Sequence, residues 1–318
     1  MEETKTIDTA NLEVFSEVLQ SLAATDRDIM VVTSDSRGSG KLVPFGQKFP
    51  EQIVEVGIAE QNLVGVATGL ASMGKKAFAV SPACFLTARA LEQIKNDVAY
   101  SDNAVKLIGI SAGVSYGALG TTHHSLHDFA VLRAINNITI VAPADNFETA
   151  EAIKQAAEMQ SPIYLRFGKK AMPANLNSKG ADFKIGKGRI IQQGNDLTFI
   201  ATGEAVLPCV EAAKLLEKEH NISCKIISLH TIKPLDTELL LATAKNKNPI
   251  ITVEEHSVNG GLGEAVASLL FQNGCSNKFK IVGLPDDHTV SGSQTEIFNH
   301  YGISADGLKN TALNLLNL

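Results

Sequence analysis

Short apolar runs rich in β-branched residues alternate along this chain with longer stretches whose apolar positions recur every three or four residues. The runs are DIMVVTS (28–34), QIVEVG (52–57), KAFAVSP (76–82), VKLIGIS (105–111), ITIVAP (138–143) and PIYLRFG (162–168). Helical periods fill 59–73, 86–100, 126–135 and 146–160, and Asp145 with Glu148 gives the last a capping-box-like start. Strands that are apolar almost throughout need cover on both faces, so the pattern predicts a parallel sheet between two helical layers. The segment 168–188, polar and aperiodic with Pro173 in it, reads as a linker. Beyond it the alternation restarts, with strands at 196–203, 224–230, 249–255 and 280–284 and helices at 205–219, 236–245 and 262–273. The prediction is an α/β chain of two three-layer α/β/α domains with mostly parallel sheets, over 1–175 and 185–318.

Length agrees with that division: 318 residues exceed one typical core and fit two domains of about 130–180 residues. A hydrophobic content of 44% with 19% charged residues belongs to a packed globular chain. The formal net charge of -6 and the lack of a long basic run argue against a nucleic-acid partner. Cys84, Cys209, Cys224 and Cys275 form no CxxC and no metal-type spacing, as expected of reduced thiols in a cytoplasmic protein. The start, MEETKTIDTA, carries no signal-peptide core, and no run of apolar residues is long enough to span a bilayer.

One carboxylate stands out. From Val56 to Gly74 the only charged side chain is Glu60. A first-turn acid facing solvent would gain a little from the helix dipole. Yet Val64, Ala67 and Ala71 share its face and Leu63, Val66 and Leu70 fill the other, so the helix is expected to be buried nearly all round. An unpaired acid in such surroundings would hold its proton towards neutrality, a property found at functional sites without being confined to them.

VGIAEQNLVGVATGLASMG (56–74) resembles the pyrimidine-binding motif of transketolases and 1-deoxyxylulose-5-phosphate synthases. The resemblance implies thiamine diphosphate as cofactor, with Glu60 bonded to N1′ of the aminopyrimidine so that its imino tautomer removes the thiazolium C2 proton. By the same motif Ile58 is placed beside the cofactor. SPACFLTARALEQIKNDVAY (81–100) resembles the following family segment, implying that Phe85 packs on the pyrimidine and that Arg89 faces the cleft. GALGTTHHSLHDFAVLR (117–133) resembles the substrate-channel loop, with His123 as its histidine. Three histidines at 123, 124 and 127 could by themselves mark a metal site, but no Cys or Glu accompanies them, and a loop favours sugar contacts. SPIYLRFGKK (161–170) resembles the strand ending in a substrate-anion arginine, which places Arg166 there, an arginine fork being suited to phosphate or sulfonate. TSDSRGSGK (33–41) stands where the family has a serine-containing stretch, which puts Ser39 and Arg37 near the substrate with Lys41 as a further cation.

In the second half LHTIKPLD (229–236) and VEEHSVNGGLGEAV (253–266) resemble the transketolase C-terminal domain, which mostly builds subunit contacts, and His256 is expected to be structural. Gly260, Gly261 and Gly263 open a helix, a pattern that by itself points to an anion site. The Gly-Asp-Gly that marks the Mg²⁺- and diphosphate-binding half of this family occurs nowhere in the sequence. The resemblance therefore implies the C-terminal subunit of a split transketolase, with thiamine diphosphate shared and Mg²⁺ held mainly by an N-terminal partner chain in an α₂β₂ assembly. Departures from the pattern at Leu119 and Ser111 leave room for a phosphorylated, sulfonated or branched ketose. The alternatives are the beta chain of a 2-oxo-acid dehydrogenase decarboxylase, a 1-deoxyxylulose-5-phosphate synthase, and a scaffolding paralogue without catalysis. TTHH and TIKPLD favour transketolase, and a scaffold has no use for Glu60.

Overall fold

The computed structural model describes residues 7–177 and 182–318. The chain begins β1 (Ile7–Ala10), α1 (Asn11–Ala23), β2 (Ile29–Thr33), α2 (Val43–Lys48), β3 (Ile53–Glu55) and α3 (Glu60–Ser72). Next come β4 (Lys76–Pro82), α4 (Ala83–Arg89), α5 (Leu91–Gln93), β5 (Lys106–Ile110) and α6 (Asp128–Ala134). They are followed by β6 (Thr139–Val141), α7 (Asn146–Glu158), β7 (Ile163–Arg166), β8 (Ala171–Pro173) and β9 (Arg189–Gln192). The second half continues with β10 (Leu197–Ala201), α8 (Val206–His220), β11 (Cys224–Ser228), β12 (Thr231–Lys233) and α9 (Thr237–Ala244). It closes with β13 (Ile250–Ser257), α10 (Leu262–Gln272), β14 (Phe279–Leu284), α11 (Gln294–His300) and α12 (Ala305–Leu316).

Two sheets carry the architecture. One orders its seven strands β12-β6-β7-β5-β4-β2-β3, parallel except for β12. The other orders five as β14-β13-β10-β11-β9, parallel except for β9. Alternation along each strand feeds two cores. Val31, Phe78, Val80, Ile108 and Ile110 meet α1 and α7 through Phe15, Leu19 and Ile153. Val32, Ala77, Ala79 and Leu107 turn the other way to Leu63, Val64 and Ala67 of α3 and to Phe129 of α6. In the second sheet Phe199, Ile226 and Ile251 pack on one face with Cys209 and Leu308, while Ile200, Ile227 and Ile250 pack on the other with Leu240 and Val266. The α/β layers predicted from the sequence are thus present, with strand and helix limits moved by a few residues.

The differences have local causes. The helix expected over 86–100 is interrupted at Ala90 and continues as a π-helical stretch, Ile94–Tyr100. Helix α3 is not buried all round: Gln61, Asn62, Gly65, Gly69 and Ser72 form an exposed strip of small and amide side chains. Strands β1, β8, β9 and β12 are three or four residues long, too short for a period to show. The segment read as a linker holds β8, which pairs antiparallel with β1. Further along it Phe183 stacks on His230 at 4.2 Å and its carbonyl accepts from Gln155. Residues 178–181 of that segment lie outside the described residues. Asp145 caps α7 by accepting Glu148 N–H at 2.7 Å, while Glu148 reaches back to Ala144 N–H at 2.8 Å.

Arg189 of β9 ties that helix start to the second half, donating to Glu148 at 2.8 Å and Asp145 at 3.3 Å with all three side chains buried. Arg189→Ala removes this cation from two buried carboxylates. The expected cost is about 3–5 kcal/mol in urea unfolding at pH 7, the range for breaking a buried ion pair.

Candidate functional site

Parallel α/β sheets gather their functional groups where the strands end at their carboxyl edge, because the loops there lead into helix N-termini. Four such connections of the seven-stranded sheet converge on one line of side chains. The turn after β3 delivers Glu60 at the first position of α3, only 3% exposed. Helix α4, directly after β4, delivers Phe85 and Arg89 one turn apart. The loop after β5 delivers Tyr116 and His123, and the segment after β7 delivers Lys169.

The contacts run in sequence. Arg89 Nη1 donates to both Glu60 oxygens at 3.0 Å, and its guanidinium lies 4.5 Å from the Phe85 ring centre. Phe85 meets His123 edge-on at 5.3 Å, and His123 meets Tyr116 at the same distance. Lys169, an exposed cation, stands 4.7 Å from the Tyr116 ring. Cation–ring and edge-to-face contacts of this kind are worth about 0.5–2 kcal/mol each, enough to set side-chain directions. His123 Nδ1 is paired with Thr122 Oγ1 at 2.9 Å, which leaves Nε2 without a hydrogen-bond partner among the described residues. Ile58 is 72% exposed just before this cluster.

Sequence expectations fare unevenly against this geometry. Glu60, Phe85, Arg89 and His123 are brought together. The acid expected to be unpaired is not: Arg89 reaches it from outside the helix, a partner that no spacing within 56–74 could reveal. Tyr116 and Lys169 were missed, although an aromatic seven residues before His123 and the KK pair after Arg166 were visible in the sequence. Arg37 lies 3.4 Å from Glu55 and Ser39 donates to the Ser36 carbonyl, so both engage the loop after β2 and the end of β3. Ser111 is buried and turns the chain with φ of 53°, a conformation rare outside glycine that recurs at functional sites. His123, His124 and His127 point to three partners, Thr122, the Gly117 carbonyl and Thr87. Among the described residues no cluster of His, Cys, Asp or Glu suits a metal ion.

Arg166, expected to meet a substrate anion, lies inside the fold. It is 6% exposed, and its Nε and Nη2 donors are engaged within the chain. Nε bonds Asp128 at 2.7 Å, and Nη2 bonds the carbonyls of Ser125 and Glu255 at 3.1 and 2.9 Å. Burial opposes its charge, but Asp128 and Glu255 outweigh burial and hold the guanidinium protonated. Beside it His256 stacks on Phe129 at 5.0 Å and is pushed down to about 4 by burial, a neutral packing residue as expected. The glycine-rich start of α10 already has its acceptor: Glu254 accepts from Leu262 N and Gly263 N at 2.7 and 2.8 Å. That carboxyl group fills the site to which the glycine pattern pointed.

Comparison with known proteins follows the same division. Residues 7–175 match the family "Transketolase, pyrimidine binding domain" and residues 186–308 match "Transketolase, C-terminal domain". The chain is 45% identical over 94% of its length to one subunit of the apulose-4-phosphate transketolase of Phocaeicola vulgatus, covering 95% of that protein. It is 32% identical to the 6-deoxy-6-sulfo-D-fructose transketolase subunit SqwH of a Clostridium species, covering 92% of this chain and 90% of the relative. A solved structure described as a split gene transketolase, inactive beta4 tetramer, superposes with a TM-score of 0.85 at 34% identity, covering 97% of this chain and 98% of the other. Among the described residues no helix is long and apolar enough to cross a membrane.

Burial raises Glu254 to about 7, and burial followed by the neighbouring Glu204 charge raises Glu255 to about 8, against 4.5 for a free glutamate. Both acids keep their protons in the folded chain after the unfolded chain has lost them. Their stabilising contribution is therefore complete below about 4.5 and is lost as the pH rises through about 7 to 8. The urea midpoint is expected to fall over that interval, and Glu255→Gln, which has no proton to lose, should flatten the fall.

Proposed function

The chain belongs to the transketolase family, and from that premise we propose that it is the catalytic C-terminal subunit of a two-chain transketolase, moving a two-carbon ketol unit from a ketose to an aldose. The observation that carries this reading is the unbroken line from buried Glu60 through Arg89 and Phe85 to His123. A buried carboxylate beside a half-buried phenyl ring fits an aminopyrimidine, which offers one face to stack and a ring nitrogen to bond. Glu60 would hold the proton at that nitrogen, Phe85 would carry the ring face, and exposed Ile58 and half-exposed Arg89 would border the cofactor. Thiamine diphosphate, when bound, supplies the nucleophilic carbon that takes up the ketol unit.

The substrate groups lie further along the same line. His123 Nε2 is available to a sugar hydroxyl, and Lys169 supplies the exposed cation for a phosphate or sulfonate, the role expected of Arg166. The relatives' names extend to a phosphorylated and to a sulfonated sugar, which is compatible with a compact cation rather than a committed arginine fork. Without a Gly-Asp-Gly in this chain, the diphosphate and Mg²⁺ fall to an N-terminal partner subunit in an α₂β₂ assembly. The split-gene structure, a tetramer of beta chains described as inactive, supports that division.

Mixed with the partner chain, thiamine diphosphate and Mg²⁺, the protein is expected to transfer ketol units that neither chain transfers alone. Glu60→Gln should lower turnover by about 10²–10⁴-fold, the usual worth of a positioned acid, while gel filtration still shows the complex. Turnover unchanged in that variant, or full activity from this chain by itself, would refute the proposal. Lys169→Ala should raise the KM of a phosphorylated sugar by about tenfold and leave that of an uncharged sugar in place.

A further inference from the structure

The loop 112–127 carries His123 and is braced from within by its own backbone. Ser125 N–H donates to the Gly113 carbonyl at 2.7 Å, and His124 Nε2 donates to the Gly117 carbonyl at 2.9 Å. A further support comes from the other half of the chain. Glu255 of β13 accepts the Val114 N–H at 2.9 Å with Oε1, and the same oxygen accepts Gln294 Nε2 at 2.8 Å. Gln294, at the start of α11, also donates to Glu204 at 2.6 Å, so one amide bridges two carboxyl groups. The segment before α11 lies directly against the loop. A Cβ on Gly117 would stand 2.7 Å from the Gly292 carbonyl, and one on Gly113 would overlap the Glu255 carboxyl carbon. Both glycines have positive φ, 51° and 60°, so backbone and packing together exclude a larger residue.

We propose that Glu255 and Gln294 are positioning residues for the substrate loop: through Val114 and the segment at 291–293 they fix where His123 stands, and so set sugar affinity without touching the sugar. The inference rests on the reading of His123 as the sugar-facing histidine. It assigns the second half a part in the site beyond packing against the first. Charge supports the arrangement. Burial and then the Glu204 charge raise Glu255 to about 8, with Arg166 acting in the opposite direction from 3.9 Å. Glu204 is raised too, by burial, with Gln294, Lys170 and Arg166 opposing. Near neutrality the pair retains a proton, which lets two carboxyl groups share one amide without net repulsion.

Three variants test this in the two-chain complex: Glu255→Ala, Gln294→Ala and Glu255→Gln. The readouts are hydrogen–deuterium exchange over 112–127, the sugar KM and the affinity for thiamine diphosphate. Both alanine variants should speed exchange in the loop and raise the sugar KM about tenfold, the effect of one buried hydrogen bond left unmade, with cofactor affinity unchanged. Glu255→Gln, whose amide matches the protonated acid in shape and keeps an acceptor for Val114, should restore both values. Gln294 is only half-buried in the first turn of α11, so its alanine variant keeps the test open if Glu255→Ala does not fold. Loop exchange unchanged in Gln294→Ala overturns the proposal, as does a parallel loss of cofactor affinity, which would mark general loosening. If the wild-type complex transfers no ketol units, the functional reading fails, and the exchange measurement alone decides whether the loop depends on Glu255 and Gln294.

Discussion

The guanidinium of Arg166 joins parts of the molecule that are far apart in sequence. It sits at the carboxyl end of β7, forms an ion pair with Asp128 of α6, and donates to the Ser125 carbonyl in the His123 loop and the Glu255 carbonyl in β13. A planar fork of five donors can satisfy acceptors from several elements at once, whereas a lysine offers a single point charge. The Phe129 ring lies 4.5 Å from its carbon and shields the pair from water. Burying such a charge is costly unless each donor is matched. Loop, helix and second sheet therefore hold one another in place through this side chain.

Much of this was legible in the sequence, and what was not has identifiable reasons. The alternation of Val31 with Val32, and of Phe78 and Val80 with Ala77 and Ala79, shows directly which residues face each helical layer. Glu60 was conspicuous because its neighbours are apolar, and Phe85 and His123 were reached through the motifs around them. The internal partners of Arg166 were not legible, because they come from residues 125, 128 and 255 and no local pattern announces a pairing over that separation. Arg89 escaped as the partner of Glu60 for the same reason. The exposed strip of α3 contradicts a helix buried all round, since small residues at 65 and 69 look apolar in a pattern and yet present a bare surface. The short strands β1, β8, β9 and β12 were not read, because three or four residues without a longer apolar run around them carry too little pattern.

Charge and aromatic groups alternate along the candidate site: carboxylate, guanidinium, phenyl, imidazole, phenol, ammonium. Each member touches the next, and the row runs from buried Glu60 to exposed Lys169.

Strand β12 comes from the second half of the chain yet closes the edge of the first sheet, with Thr231 opposite Val141. A boundary placed near residue 180 therefore separates the sequence without separating the structure. During synthesis the first sheet has a bare β6 edge until residues beyond 233 leave the ribosome, some fifty positions after the apparent end of its own domain. The nascent first half is accordingly a sticky object, and the time taken to make the second half is time spent with an open strand exposed to other chains.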